Sequence, residues 1–211
     1  MTRMLLLALE CAFLFLGLPL LIKYRLIPNF PIPYLVATAM VLFFVLRHDP
    51  SFDSSRLFAW GAYRPFLPGI LIRDFVCLAL LGIAVRLLAP DLLFSLIKQR
   101  PGLWAVIMVL YPLVSVYPQE LLYRAFFFHR YQPLFGSGWT LLLASALAFG
   151  FVHVIFGNWL SVVLCIFGGF LFSYTYQQSG SLLLTCLDHA IFGNFIFTIG
   201  LGQFFYHGAR R

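Results

Sequence analysis

Seven side chains able to do acid–base, ion-pair or hydrogen-bond chemistry stand in or beside apolar stretches of the second half of the chain: Gln119, Glu120, Arg124, His153, Asp188, His189 and Asn194. Glu120 and Arg124 are at i and i+4, which puts them on one helix face with the carboxylate N-terminal to the cation, the better order for an ion pair. Pro118 suits the first turn of a helix, where its missing N–H is not needed, and Glu120 then favours the positive end of that helix. Two readings are open: a helix-end ion pair at the level of lipid headgroups, or a carboxylate held for proton transfer. In Phe149-Gly-Phe-Val-His153, the histidine is either packed and hydrogen-bonded to a neighbouring helix or placed to hold and polarise a water. In Asp188-His189-Ala-Ile-Phe-Gly-Asn194, His and Asn are suitable donors to a developing oxyanion. Five residues separate His189 from Asn194, so on an ideal helix they point about 140° apart, and they converge only if Gly193 permits a local distortion.

These residues must be positioned by helices in a membrane. The chain has 211 residues, 62% hydrophobic and 10% charged, against about 45–50% apolar and about 25% charged in a typical soluble domain. Its mean hydropathy is +0.95. No water-facing surface can be assembled from this composition, which excludes a soluble globular domain, a disordered tail and a disulfide scaffold. The expected fold is all-α, a polytopic membrane helical bundle with about seven spans, at residues 1–22, 31–46, 67–89, 103–117, 139–156, 159–177 and 181–205. At about 20 residues per crossing, seven spans take roughly 140 residues, which makes residues 1–211 one integral membrane domain. The first segment has Arg3 before a Leu-rich run, as a signal peptide does, but it carries Glu10 and no small-x-small cleavage site, so it reads as a span. Turns at Gly157-Asn158 and Ser179-Gly180 are so short that the last three spans must form adjacent antiparallel hairpins.

The net charge of +7 comes from 14 Lys and Arg against 7 Asp and Glu. Most of the cations flank apolar stretches, as headgroup anchors do, and no basic stripe exists to hold a phosphate backbone, so nucleic acid is not an expected partner. Counted by side, Arg3, Arg47, Arg56, Arg64 and Arg130 oppose Lys23, Arg25, Lys98, Arg100, Arg210 and Arg211, a near tie under the positive-inside rule. Cys11, Cys77, Cys165 and Cys186 stand singly and read as reduced thiols. In the first half, Arg73 and Asp74 read as a neutral pair and Glu10 as facing the bundle interior.

A carboxylate with Arg at +4, then Phe-x-x-x-His, then His with a downstream Asn, each on its own apolar segment and in that order, resembles the CAAX prenyl protease and bacteriocin-processing (CPBP, or Abi) family of intramembrane endopeptidases. The resemblance covers about residues 103–205, the expected catalytic core. It implies a glutamic-type membrane protease acting on a membrane-anchored, prenylated or leader-bearing protein or peptide, which reaches the site through the lipid bilayer. By position, Glu120 with His153 would activate water, His189 and Asn194 would donate to the oxyanion, and Arg124 would orient the carboxylate; Gln119, Tyr123 and Phe149 are the candidate substrate-binding side chains. An integral, multi-pass location is implied, in the cell membrane for a prokaryotic chain.

Two positions depart from the family pattern. The motif begins Glu-Glu-x-x-x-Arg, and the first glutamate is usually the base, but here that place is Gln119; Asn is common at +4 from the last His, where this chain has Gly193. Gln cannot take a proton from water. Either Glu120 is the base, or the chain is a catalytically silent relative that binds membrane peptides, as in self-immunity to a bacteriocin. No cofactor is expected; the alternative is a zinc ion on Glu120, His153 and His189, the two-His, one-carboxylate donor set of catalytic zinc. No histidine is followed by glutamate, which excludes the His-Glu-x-x-His metalloprotease pattern. A small transporter relaying protons through the same groups is a third class, and the lack of an internal repeat weighs against it.

Overall fold

The computed structural model describes residues 2–28, 30–59 and 64–205; Arg210 and Arg211, and the first residue of the expected first span, lie outside the described residues. Regular structure among them is helical throughout. Eight helices carry the fold: α1 Thr2–Lys23, α2 Pro31–His48, α3 Leu67–Leu88, the short α4 Ser95–Gln99, α5 Pro101–Phe135, α6 Trp139–Phe156, α7 Trp159–Ser179 and α8 Leu182–Thr198. Five of these, α1, α2, α5, α6 and α7, are long and apolar enough to cross a bilayer. With α3, of 22 residues, and the shorter apolar α8, the bundle has the seven spanning elements expected from the sequence. The protein is an integral, multi-pass membrane protein.

The distribution of polarity is that of a bundle in lipid. Large apolar side chains point outward, Leu9 at 57% exposure and Phe75 at 74%, while Glu120, Arg124, Ser145, Ser161, Ser173 and Asp188 are fully buried. Helices suit this environment because each satisfies its own backbone hydrogen bonds where no water is at hand.

The element that differs most from expectation is α5. The sequence predicts a span at residues 103–117 and a new helix opening at Pro118, but the chain runs as one helix of 35 residues, about 52 Å at 1.5 Å per residue. Two π turns, Pro112–Val116 and Leu121–Phe126, lie within it. A proline inside a helix removes one i→i−4 bond and crowds the carbonyl behind it. The wider i→i+5 ladder of a π turn absorbs that disturbance beside Pro112 and Pro118 without a break. Continuation is also what lipid demands, since an interruption would leave backbone groups unsatisfied.

The final hairpins form as expected. Gly157 and Gly180, at φ 71° and 63°, make the left-handed turns; Asn158 caps α7 by accepting from the Ser161 amide, and Ser181 caps α8 by accepting from the Leu184 amide. Span seven is shorter than predicted, because α8 ends at Thr198 and the chain resumes as a 3₁₀ turn, Leu201–Phe205. The α8 helix runs through Gly193 without a break, so the local distortion that would bring His189 and Asn194 together is absent from it.

An aromatic cluster ties α1 to α5. Phe15, in a π turn of α1, meets Tyr123, Phe127 and Tyr131 edge-on at centroid distances of 5.4, 5.0 and 5.7 Å. Glu10 is not directed at the bundle centre: it accepts from Arg130 and from the Tyr131 hydroxyl at the half-exposed end of this cluster. In the loop after α2, Asp49 accepts from the Ser51 hydroxyl and pairs with His129 of α5 at 2.9 Å. Its carboxyl is lowered from 3.8 to about 2, first by the Ser51 hydroxyl, then by His129 and the Ser51 amide. A lowered carboxyl contributes stability above its unfolded value and loses it as pH falls through the folded one. The Asp49 tie to α5 is therefore expected to persist from neutrality down to about pH 4 and to open toward pH 2, which the His129 ring resonances would report. Phe15→Ala, which removes a 3%-exposed ring from three contacts, is expected to cost about 3–5 kcal/mol, read as a lower Tm in detergent.

Candidate active site

The long α5 helix brings three polar groups to one partner helix. Trp104 Nε1 donates to the Thr198 hydroxyl at 3.0 Å, Asn194 Nδ2 donates to the Met108 carbonyl at 3.3 Å, and the Tyr111 hydroxyl meets His189 Nε2 at 3.0 Å. Residues 104, 108 and 111 are spaced as one helix face, and their partners run backwards along α8, so the two helices pack antiparallel. Beyond the first π turn the same helix supplies Glu120 and Arg124.

Glu120 and Arg124 are both 0% exposed, which removes the headgroup reading of this pair. Glu120 Oε1 accepts from His189 Nδ1 at 2.7 Å. Its Oε2 lies 3.2 Å from Arg124 Nε, an ion pair without the alignment of a hydrogen bond. Arg124 Nη2 donates to the Gly169 carbonyl of α7 at 3.1 Å, and the guanidinium lies 4.7 Å from the Phe149 ring centroid and 5.7 Å from that of Phe172. Glu120 Oε2, Arg124 Nε and Arg124 Nη1 are buried with no hydrogen-bond partner among the described residues. Such orphans cost about 1–3 kcal/mol each, more when charged, and are kept where a ligand or water will use them.

Arg124 requires a counter-charge, and Glu120 as carboxylate supplies it. The carboxylate can only accept, so His189 Nδ1 carries the proton and donates, and the Tyr111 hydroxyl is the partner of Nε2. The His189 ring is stacked on Phe172, 4.5 Å between centroids, and meets Phe149 edge-on at 5.4 Å.

His153 sits in the 3₁₀ turn that ends α6. Its Nδ1 donates to the Phe149 carbonyl at 2.8 Å, which leaves Nε2 with a free lone pair. Its ring is 5.1 Å from Phe149, so that one aromatic ring touches His153, His189 and Arg124. Phe149 and Tyr123, 1% and 4% exposed, pack on each other in the core. Gln119 turns along its own helix and donates to the Ser115 hydroxyl at 2.6 Å. Asn194 lies further along α8, with Oδ1 buried and without a hydrogen-bond partner among the described residues. The structure thus brings together Glu120, Arg124 and His189 and sets His153 across Phe149 from them, while Gln119 donates to Ser115 and Asn194 to the Met108 carbonyl.

Both ring nitrogens of His189 are engaged, and no group of three His, Cys, Asp or Glu among the described residues stands close enough to hold a metal.

Two features escape a reading of the sequence. One is Tyr111, a tyrosine among apolar residues whose only signals are Pro112 beside it and a glycine four residues after His189. The other is the link between the first and second halves of the chain: Arg73 lies 2.7 Å from both Asp74 and Asp188, and the Thr175 hydroxyl donates to Asp188 at 2.6 Å. The pair read as neutral is therefore a three-residue cluster that fixes α3 to α8 one residue from His189, and Asp74 Oδ2 and Asp188 Oδ1 have no hydrogen-bond partner among the described residues.

Residues 99–195 match the family model described as type II CAAX prenyl endopeptidase Rce1-like. The matched stretch contains Glu120, Arg124, His153, His189 and Asn194 and agrees with the resemblance carried by the motifs. It supports a CAAX protease-like membrane enzyme. Neither the curated proteins nor the solved structures give a match to this chain. Removing the shared cation with Arg73→Gln leaves Asp74 and Asp188 buried without a counter-charge; a cost of about 3–5 kcal/mol is expected, the range for breaking a buried pair, and thermal unfolding of the purified variant against Asp74→Asn measures it.

Proposed function

We propose that the protein is an intramembrane endopeptidase of the glutamic type, hydrolysing a peptide bond in a prenylated, leader-bearing or otherwise membrane-anchored substrate. The observation that carries this reading is the buried Glu120, which holds His189 with one oxygen and keeps the other free of any donor beside orphaned Arg124 N–H groups. A bundle whose only need was cohesion would be better served by apolar packing, because buried ion pairs are costly and seldom stabilise.

In this reading Glu120 Oε2 accepts a proton from water as the water oxygen attacks the scissile carbonyl carbon. The carbonyl oxygen becomes an oxyanion, and the unpartnered Arg124 N–H groups are the donors able to stabilise it. The C–N bond then breaks, and the leaving nitrogen takes a proton returned from Glu120 or carried by His153, whose Nε2 is free. No metal takes part, and hydrolysis is expected to survive strong chelators.

A second reading has its own observation. Gln119 stands where the family places its first glutamate and is held by Ser115, and a glutamine, which cannot take a proton from water, suits a relative that binds membrane peptides without cutting them. The discriminating experiment is a mass-spectrometric inventory of new protein termini in membranes expressing the wild type, Glu120→Gln and Gln119→Glu at matched levels. The endopeptidase reading expects termini in the wild type that fall by about 10²–10⁴-fold in Glu120→Gln, the usual worth of a general base, and that persist or rise in Gln119→Glu. Termini that appear only with Gln119→Glu would establish the silent relative instead.

A further inference from the structure

The chain of contacts from Arg124, ion-paired to Glu120, through Glu120 to His189 does not end at the imidazole; it ends at a phenol on the same helix as the carboxylate. We infer that Tyr111 is a positioning residue of this site, which holds His189 in the tautomer that donates to Glu120, and that Gly193 is the position that admits it.

Three observations carry this. The Tyr111 hydroxyl is 3.0 Å from His189 Nε2, while Nδ1 is 2.7 Å from Glu120. With the carboxylate fixing the Nδ1 proton, a neutral ring takes the phenol as its donor at Nε2, and the imidazole is clamped at both nitrogens. The second observation is steric. A Cβ on Gly193 would run into the Tyr111 ring and hydroxyl, so any other residue at this place on α8 forces the phenol off His189. Gly193 lies four residues after His189, on the same face of an undistorted helix. Its missing side chain is thus what lets α5 bring a tyrosine to the imidazole.

The third is helix phase. Nine residues separate Tyr111 from Glu120, which on an ideal helix places them about 180° apart, at roughly 100° per residue. The π turn Pro112–Val116 lies between them. A π bulge accommodates one extra residue and so takes back roughly 100° of that rotation. Tyr111 and Glu120 can then reach the same imidazole from one helix, and Phe197, 5.4 Å from the Tyr111 ring, holds the ring on its far side.

The test has an arm that needs no substrate, so it separates this inference from the endopeptidase reading on which its rate arm rests. Nitrogen-15 spectra of histidine-labelled full-length protein in lipid nanodiscs, with the His189 signals assigned by His189→Gln, report which ring nitrogen carries the proton. In the wild type, Nδ1 of His189 should be protonated and Nε2 a hydrogen-bond acceptor. Tyr111→Phe, which keeps the ring and removes only the donor, should shift the Nε2 signal and bring in the second tautomer; Gly193→Ala should do the same by displacing the phenol. For cleavage, Tyr111→Phe should lower kcat about 10–100-fold with KM within about twofold, the pattern of lost transition-state organisation rather than lost binding. An unchanged His189 spectrum in Tyr111→Phe would overturn the inference. A changed spectrum in a protein that cleaves nothing would uphold it and remove the endopeptidase reading instead.

Discussion

A guanidinium buried in a bilayer-spanning bundle cannot stand without a counter-charge, and the arrangement of the second half of this chain follows from how Arg124 obtains one. Glu120 supplies the charge from one turn away, the Gly169 carbonyl takes one N–H from α7, and the faces of Phe149 and Phe172 cover the cation. The partners come from three helices, so α5, α6 and α7 are fixed to one another through a single side chain. The carboxylate in turn recruits His189 from α8. Polar association of this kind has more to do in lipid than in water, because apolar packing between helices gains little over packing against lipid tails.

The second ionic cluster applies the same constraint elsewhere. Arg73, on a helix outside the family match, neutralises Asp74 and reaches Asp188. The turn of α8 that presents His189 is thereby held from two sides, by Arg73 of α3 and by the Glu120 and Tyr111 contacts of α5. A histidine so constrained is oriented before any substrate arrives, which is the economical way to run electrostatic chemistry: dipoles already in place need no reorganisation during the reaction. The orphaned oxygen and N–H groups at Glu120 and Arg124 complete the picture of a site built for something other than cohesion.

The π turns of α5 connect this electrostatics to the backbone. Pro112 and Pro118 in a membrane helix would ordinarily kink it, yet here the wide turns beside them carry the helix on and change its phase between Tyr111 and Glu120. Bulges of this type gather at functional positions because they re-aim side chains without ending the helix. In α5 the re-aimed residues include Glu120 and Arg124 themselves.

Much of this was legible in the order of the residues. An apolar composition with periodic turns specifies an all-helical membrane bundle, since lipid leaves the backbone few other options; the boundaries of α6 and the turns at Gly157 and Gly180 follow from local signals. Glu120 with Arg124 at i+4, and histidines in otherwise uncharged spans, were conspicuous for the same reason, because ionisable groups are expensive there. Only the tertiary structure decided what these groups touch. Helix continuation through Pro118 depends on a π ladder that local propensity does not announce, and the pairing of Arg73 with Asp188, or of Tyr111 with His189, spans 115 and 78 positions of sequence. Distance along the chain carries no information about which helix faces which. That is settled by packing, by the room left at one glycine, and by the requirement that every buried charge find its opposite.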